Sequence, residues 1–280
     1  MYTTLITAPE LNTLIENGNV LVLDCRFSLA DAGYGQRVYS EAHLSGACFM
    51  HLDDDLSSPI TPKTGRHPLP DVDKLADKLR SYGLNNNLQV VVYDDCGGAM
   101  AARTWWLLRW LGHDAVAVLN GGYPHWVQAG FEVTQAVPQA EPGNFAVSLR
   151  DEMNLSVDEV LKSLDDQSIT LVDARGAERY RGEQEPIDPV AGHIPGALNR
   201  PLTDNLENGL FKSAEQLQAE WQQLLGTVDP QRIVHYCGSG VTACHNQLAM
   251  AVAGITGTRI YAGSWSEWIR EPARPIATIS

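Results

Sequence analysis

The chain is an internal duplication, and this limits its fold more than any other feature. Thr7-Ala8-Pro9-Glu10 reads as a capping box, in which a hydroxyl residue and a glutamate three positions later satisfy each other's amides at a helix start. Ser156-Val157-Asp158-Glu159 repeats it 149 residues on (156 − 7). The apolar run Val20-Leu21-Val22-Leu23, ending in Asp24-Cys25-Arg26, is answered by Ile169-Thr170-Leu171-Val172, ending in Asp173-Ala174-Arg175, again at 149 (173 − 24). His43-Leu44-Ser45-Gly46-Ala47 and His193-Ile194-Pro195-Gly196-Ala197 lie 150 apart (193 − 43), and the segments ending in Trp126 and Trp268 lie 142 apart (268 − 126). Two copies of one pattern predict two domains of one fold.

Within each copy, short apolar runs alternate with helical periods. Gln89–Tyr93 precedes a helix through Trp105, Trp106 and Trp110 and then the run Ala115–Leu119; Arg232–Tyr236 precedes a helix from Val241 to Gly254 and then Thr258–Tyr261. Strands alternating with helices predict an α/β fold, each domain a mainly parallel sheet flanked by helices. With 280 residues there is room for two such cores. Residues 138–153, with Pro138, Pro142 and Gly143 and no period, read as a linker between a domain at 1–137 and one at 154–280.

The second copy carries a chemical feature. The run Ile233-Val234-His235-Tyr236 stops at Cys237-Gly238-Ser239-Gly240-Val241-Thr242, where the helix begins. Glycines let successive amides turn inward and the helix adds its positive end, so the turn suits an anion. A cysteine there is expected to ionise below its usual pKa of about 8.5 and to act as a nucleophile. The alternative is a buried cysteine that only fills space, but a packing role needs no cradle.

Composition narrows the partners. The formal charge of −14 argues against nucleic acid or an anionic membrane surface, and it requires local cations to hold any anionic substrate. No apolar run is long enough to span a bilayer, and the N-terminus lacks a signal-peptide core, so a soluble cytoplasmic protein is expected. Five cysteines, at 25, 48, 96, 237 and 244, fit free thiols in a reducing compartment. His235, Cys237, Cys244 and His245 lack zinc-site spacing; no metal and no cofactor are expected. Cys244 reads as a packed residue two helical turns beyond Cys237, and the tryptophans 105, 106 and 110 as packing.

Cys237-Gly238-Ser239-Gly240-Val241-Thr242-Ala243 resembles the active-site loop of the rhodanese superfamily, and within it that of the 3-mercaptopyruvate sulfurtransferases, where serine and glycine replace basic residues of thiosulfate-type rhodaneses. The resemblance implies a persulfide mechanism with Cys237 as carrier, stabilised by the amides of Gly238, Gly240, Val241 and Thr242. It implies a small anionic sulfur donor and an acceptor that is cyanide, a small thiol or a thioredoxin-like protein. It implies a first domain without a nucleophile, and the 142-residue offset aligns Asp95 with Cys237. Arg179, in Ala177-Glu178-Arg179-Tyr180, matches the family's substrate-binding arginine. Ser239, with His67 in Gly65-Arg66-His67-Pro68 and Asp53 in His51-Leu52-Asp53-Asp54, matches a proposed proton relay. Trp265 and Trp268 match a segment near the pocket. Arg26 and Arg175 recur in both copies, which suits structural ion pairs.

The chain departs from the mercaptopyruvate pattern at Gly182–Pro189, where a second carboxylate-binding arginine is missing; Arg181 and Arg200 are the candidates to replace it. Thiosulfate therefore stands as the alternative donor, and a non-catalytic sulfur-carrier or regulatory module as a further reading. A phosphatase of the related dual-specificity type is disfavoured, because Ala243 stands where an arginine would grip the phosphate.

Overall fold

A computed structural model describes residues 1–279. It divides into two compact units, one of residues 1–58, 70–150 and 208–211, the other of residues 59–69, 151–207 and 212 onward. Three segments thus depart from a simple cut along the sequence, among them 208–211, which belong to the first unit. Residues 138–150 pack with the first unit, because the amides of Gly143, Phe145, Ser148 and Arg150 donate to the carbonyls of Arg80, Leu84, Leu111 and Trp110. Residues 59–69 pack with the second.

In the first unit the strands Leu5–Ile6, Val116–Leu119, Gln89–Tyr93, Val20–Asp24 and Ala47–Phe49 lie side by side in that order, all parallel. In the second the order is Arg259–Ile260, Ile233–Tyr236, Thr170–Asp173 and Leu198–Asn199, again all parallel. Such sheets must be covered on both faces. The covers are amphipathic helices that begin where the capping residues set them. The Thr7 hydroxyl and amide both donate to Glu10 at the start of Ala8–Glu16, and Ser156 and Glu159 exchange bonds at the start of Val157–Asp166.

Each unit has its own core. Leu11, Val22, Leu44, Val91, Tyr93, Ala117 and Trp126 close on one another in the first, and Val160, Leu171, Val234, Tyr236, Tyr261, Trp265 and Trp268 in the second. At about 1.5–3 kcal/mol per large apolar side chain removed from water, these clusters supply the main driving force of each fold. The expected packing roles hold for Trp105, Trp106 and Trp110, which are buried, with Trp106 and Trp110 stacked at 5.8 Å.

The repeated arginines hold repeated ion pairs. Arg26 grips Asp24 and donates to the Ala42 carbonyl at 2.7 Å; Arg175 grips Asp173 and donates to the Gly192 carbonyl at 2.7 Å. Among the described residues no helix is long and apolar enough to cross a membrane.

Candidate active site

The strand Ile233–Tyr236 is interior to its sheet, so the chain leaves its carboxyl end into the crevice where open parallel sheets bind ligands. Cys237 is the first residue beyond it. The loop that follows is held open by the short helix Ser264–Trp268: the Trp265 amide donates to the Cys237 carbonyl at 3.0 Å and the Ser266 amide to the Gly238 carbonyl at 2.9 Å. These bonds tie the first two carbonyls of the loop to the short helix. The Gly240 amide donates to Cys237 Sγ at 3.1 Å. Gly240 has φ +79°, and a Cβ on it would meet the Ala262 carbonyl oxygen at 2.1 Å, so glycine alone fits this turn. The helix after the loop is Ala243–Val252, two residues later than expected, with Thr242 at its cap and Val241 buried before it.

Cys237 is almost wholly buried, packed with Ala174 and Ala243. Its own amide donates to Ser264 Oγ at 3.1 Å, and that hydroxyl donates in turn to the Tyr261 carbonyl at 2.9 Å. Ser264 is a non-glycine residue at φ +55°, a conformation that costs energy and persists where surroundings enforce it. Cys244 Sγ donates to the Gly240 carbonyl at 3.4 Å, which fits its expected packing role. Burial pushes the Cys25 thiol up, and the Cys48 thiol up to about 11.

Residues 59–69 bring a second set of groups to the same loop. Gly65 lets this segment lie against the short helix, since a Cβ there would meet the Gly263 carbonyl oxygen at 2.5 Å; the Arg66 amide donates to Ser266 Oγ at 3.0 Å. His67 Nδ1 lies 2.7 Å from Ser239 Oγ, both side chains buried. Asp53, the third member expected, belongs to the first unit, in the turn after His51, where its amide donates to His51 Nδ1 at 3.2 Å.

Two guanidinium groups flank Gly238. A Cβ at that position would lie 2.9 Å from Arg66 Nη2 and 3.5 and 3.7 Å from the two terminal nitrogens of Arg179. Arg179 grips Glu185, with Nη2 to Oε1 at 2.7 Å, and reaches Asp188 Oδ2 at 3.3 Å; the other oxygen of Asp188 pairs with Arg66. Burial pushes the Glu185 carboxyl up, but the Arg179 guanidinium and the Asp188 and Ile187 amides outweigh it and hold it below the usual glutamate range. Neither arginine proposed as the missing second cation is at the loop. Arg181 pairs with Glu183 near the surface, and Arg200 is held by Asn205 and Glu220 over the Trp221 ring.

The Rhodanese-like domain family matches residues 7–129 and 156–271. The chain belongs to the rhodanese family. Relatives include a probable 3-mercaptopyruvate sulfurtransferase of Pseudomonas aeruginosa, 49% identical over 277 residues and 98% of each chain, and a thiosulfate sulfurtransferase of Rattus norvegicus, 35% identical over 96% of this chain and 93% of the other. The crystal structure of a 3-mercaptopyruvate sulfotransferase, SseA from Escherichia coli, aligns with a TM-score of 0.82 at 30% identity, covering 95% of this chain and all of the other.

Comparing the two rhodanese units corrects one alignment. Tyr93 pairs with Asp24 in the sheet register as Tyr236 does with Asp173, so the offset there is 143 (236 − 93) and Cys237 corresponds to Asp94 rather than Asp95. The helices that follow start at Ala101 and Ala243, 142 apart, because the first loop is one residue longer. Asp94 fills that first cradle itself. Its carboxylate accepts from the amides of Cys96, Gly98, Met100 and Ala101 at 2.8–3.0 Å. Asp95 instead accepts from the Tyr34 hydroxyl at 2.5 Å.

Sequence reasoning missed Arg66, Glu185, Asp188 and Ser264. Arg66 sat inside the motif quoted for His67. Ser264 was detectable from the duplication: it stands opposite Gly122, itself at φ +57°, and a serine at a glycine-type position is a departure that needs a reason.

Proposed function

We propose that this chain is a sulfurtransferase that takes sulfur from 3-mercaptopyruvate onto Cys237 as a persulfide and passes it to a thiol or cyanide. The thiolate attacks the donor sulfur; an S–S bond forms, the C–S bond breaks, and its electron pair leaves with carbon as the enolate of pyruvate, which gains a proton. Attack of an acceptor thiolate on the outer sulfur then yields a new persulfide and restores Cys237, giving ping-pong kinetics. Gly238, Gly240, Val241 and Thr242 form the cradle for the sulfur anion, Arg179 binds the donor carboxylate, and Ser239 with His67 and Asp53 moves the proton.

One observation carries this reading. The same loop occurs twice; in the first unit its amides hold a carboxylate, and in the second the Gly240 amide meets Cys237 Sγ at 3.1 Å. An anion cradle with a thiol as its occupant is a device for nucleophilic sulfur. The names of the relatives support mercaptopyruvate as donor and keep thiosulfate as the alternative. The division of labour follows 1–137 and 154–280, with 138–153 connecting them and the loop 59–69 serving the second domain. A cytoplasmic location and a small thiol or thioredoxin-like acceptor complete the proposal.

Steady-state rates with both donors test it. A higher kcat/KM for mercaptopyruvate is expected, and a higher value for thiosulfate reverses the donor. Mass spectrometry after donor treatment should find one added sulfur on Cys237; sulfur on Cys25 or Cys96 defeats the assignment.

A further inference from the structure

The anion site beside Gly238 holds an internal counter-charge. Arg66 and Arg179 each keep about a fifth of their side chain exposed (22% and 20%), whereas Glu185 and Asp188 are only 3% exposed. The carboxylates therefore lie behind the guanidinium groups and leave part of each fork toward solvent. Asp188 bridges them, one oxygen on Arg66 and the other on Arg179, and its position is fixed by its own amide donating to Glu185 Oε1 at 3.0 Å.

The charges nearly cancel. Arg66, Arg175 and Arg179 face Asp173, Glu185 and Asp188 in one connected set of ion pairs, so the cluster is formally neutral before a thiolate or a donor arrives. A bound monoanion adds one negative charge next to the Cys237 sulfur, and a dianion adds two. In a partly buried site such differences are weakly screened and act strongly on binding.

Resting on the sulfurtransferase reading above, we propose that Arg66 is the second donor-binding cation of this enzyme and that Asp188 is a specificity-determining residue, whose bridging carboxylate tunes the Arg66–Arg179 pair to a monoanionic keto-acid donor and against a dianionic one such as thiosulfate. The cation comes from the loop at 59–69, and the carboxylate from the segment 182–192 that departs from the mercaptopyruvate pattern. Asp188 acts through the two arginines and is a positioning residue.

The test combines turnover and equilibrium binding on the full chain. Kinetic constants for mercaptopyruvate and thiosulfate are measured for the native protein, Asp188→Asn, Asp188→Glu and Arg66→Met, and sulfate and pyruvate are titrated into each by calorimetry. Asp188→Asn should lower KM for thiosulfate by about tenfold and for mercaptopyruvate by less, with kcat little changed, and should tighten sulfate more than pyruvate. Asp188→Glu, which keeps the charge, should keep the native donor ratio. Arg66→Met should raise KM for both donors, thiosulfate more. An Asp188→Asn protein with an unchanged donor ratio, or an Arg66→Met protein with unchanged KM values, overturns the inference. If Asp188→Asn does not fold, Asp188→Ser, which also removes the charge, is read in its place, and Arg66→Met tests the cation independently. Should the native chain turn over neither donor, the sulfurtransferase reading fails, and the sulfate and pyruvate titrations still judge the anion site.

Discussion

Ser264 offers a quantitative test of how Cys237 is held. Its hydroxyl accepts the Cys237 amide and donates to the Tyr261 carbonyl, and its backbone sits at φ +55°. Replacing it with alanine leaves a buried amide without this acceptor, at about 1–3 kcal/mol, and keeps the cost of a left-handed side-chain-bearing residue. Replacing it with glycine loses the same bonds but removes that backbone cost, worth about 1–2 kcal/mol. Ser264→Gly should therefore be more stable than Ser264→Ala by about 1–2 kcal/mol, and Ser264→Ala less stable than the native protein. At about 2–4 °C per kcal/mol for a domain of this class, calorimetric melting should separate the two variants by a few degrees. Both should lose kcat/KM through a loosened Cys237, about tenfold for each 1.4 kcal/mol of lost positioning. A glycine variant that melts at or below the alanine variant, or an alanine variant that matches the native protein in melting and rate, refutes this account.

Other expectations follow from the same geometry. His67→Gln and Ser239→Ala should cut kcat with mercaptopyruvate by about 10²-fold and leave thiosulfate turnover nearly unchanged, because only the carbon leaving group needs a proton; equal losses with both donors would remove the relay. Asp53→Asn should follow the same donor-dependent pattern in assays with both donors, and equal losses with the two would remove Asp53 from the relay. Gly240→Ala forces a Cβ to 2.1 Å from the Ala262 oxygen at φ +79° and should cost more than about 2 kcal/mol together with most activity, read by denaturant unfolding and sulfur transfer. Glu185 titrates lower in the folded protein than in the unfolded one, so its stabilisation is present above about pH 4.3 and is lost as pH falls through the folded value. Glu185→Gln should thus be less stable than the native protein at pH 7 and converge on it as pH falls through the folded value; a gap that stays constant with pH contradicts the assignment.

Much of the architecture was legible because it is local. Capping boxes at Thr7 and Ser156 and apolar runs such as Gln89–Tyr93 carry their own signals within a few residues, and the duplication doubled each of them. Cys237 was legible for the same reason, since the glycines that bend its loop are its neighbours. Arg66 and Asp188 were not: they are 122 residues apart, and no periodicity marks a loop that reaches across the chain. The Asp95 alignment failed because a single extra residue inside the first loop changes the offset between the strand and the helix on either side of it. Only the hydrogen-bond register of Tyr93 and Tyr236 reveals that step.

The carboxylate of Asp94 has one more consequence. Four amides that would otherwise welcome a visiting anion are occupied by a group that cannot diffuse away, so the earlier repeat is permanently self-saturated. Of the two repeats, only the later one keeps a cradle without a built-in carboxylate, and each polypeptide should load one sulfur equivalent, never two.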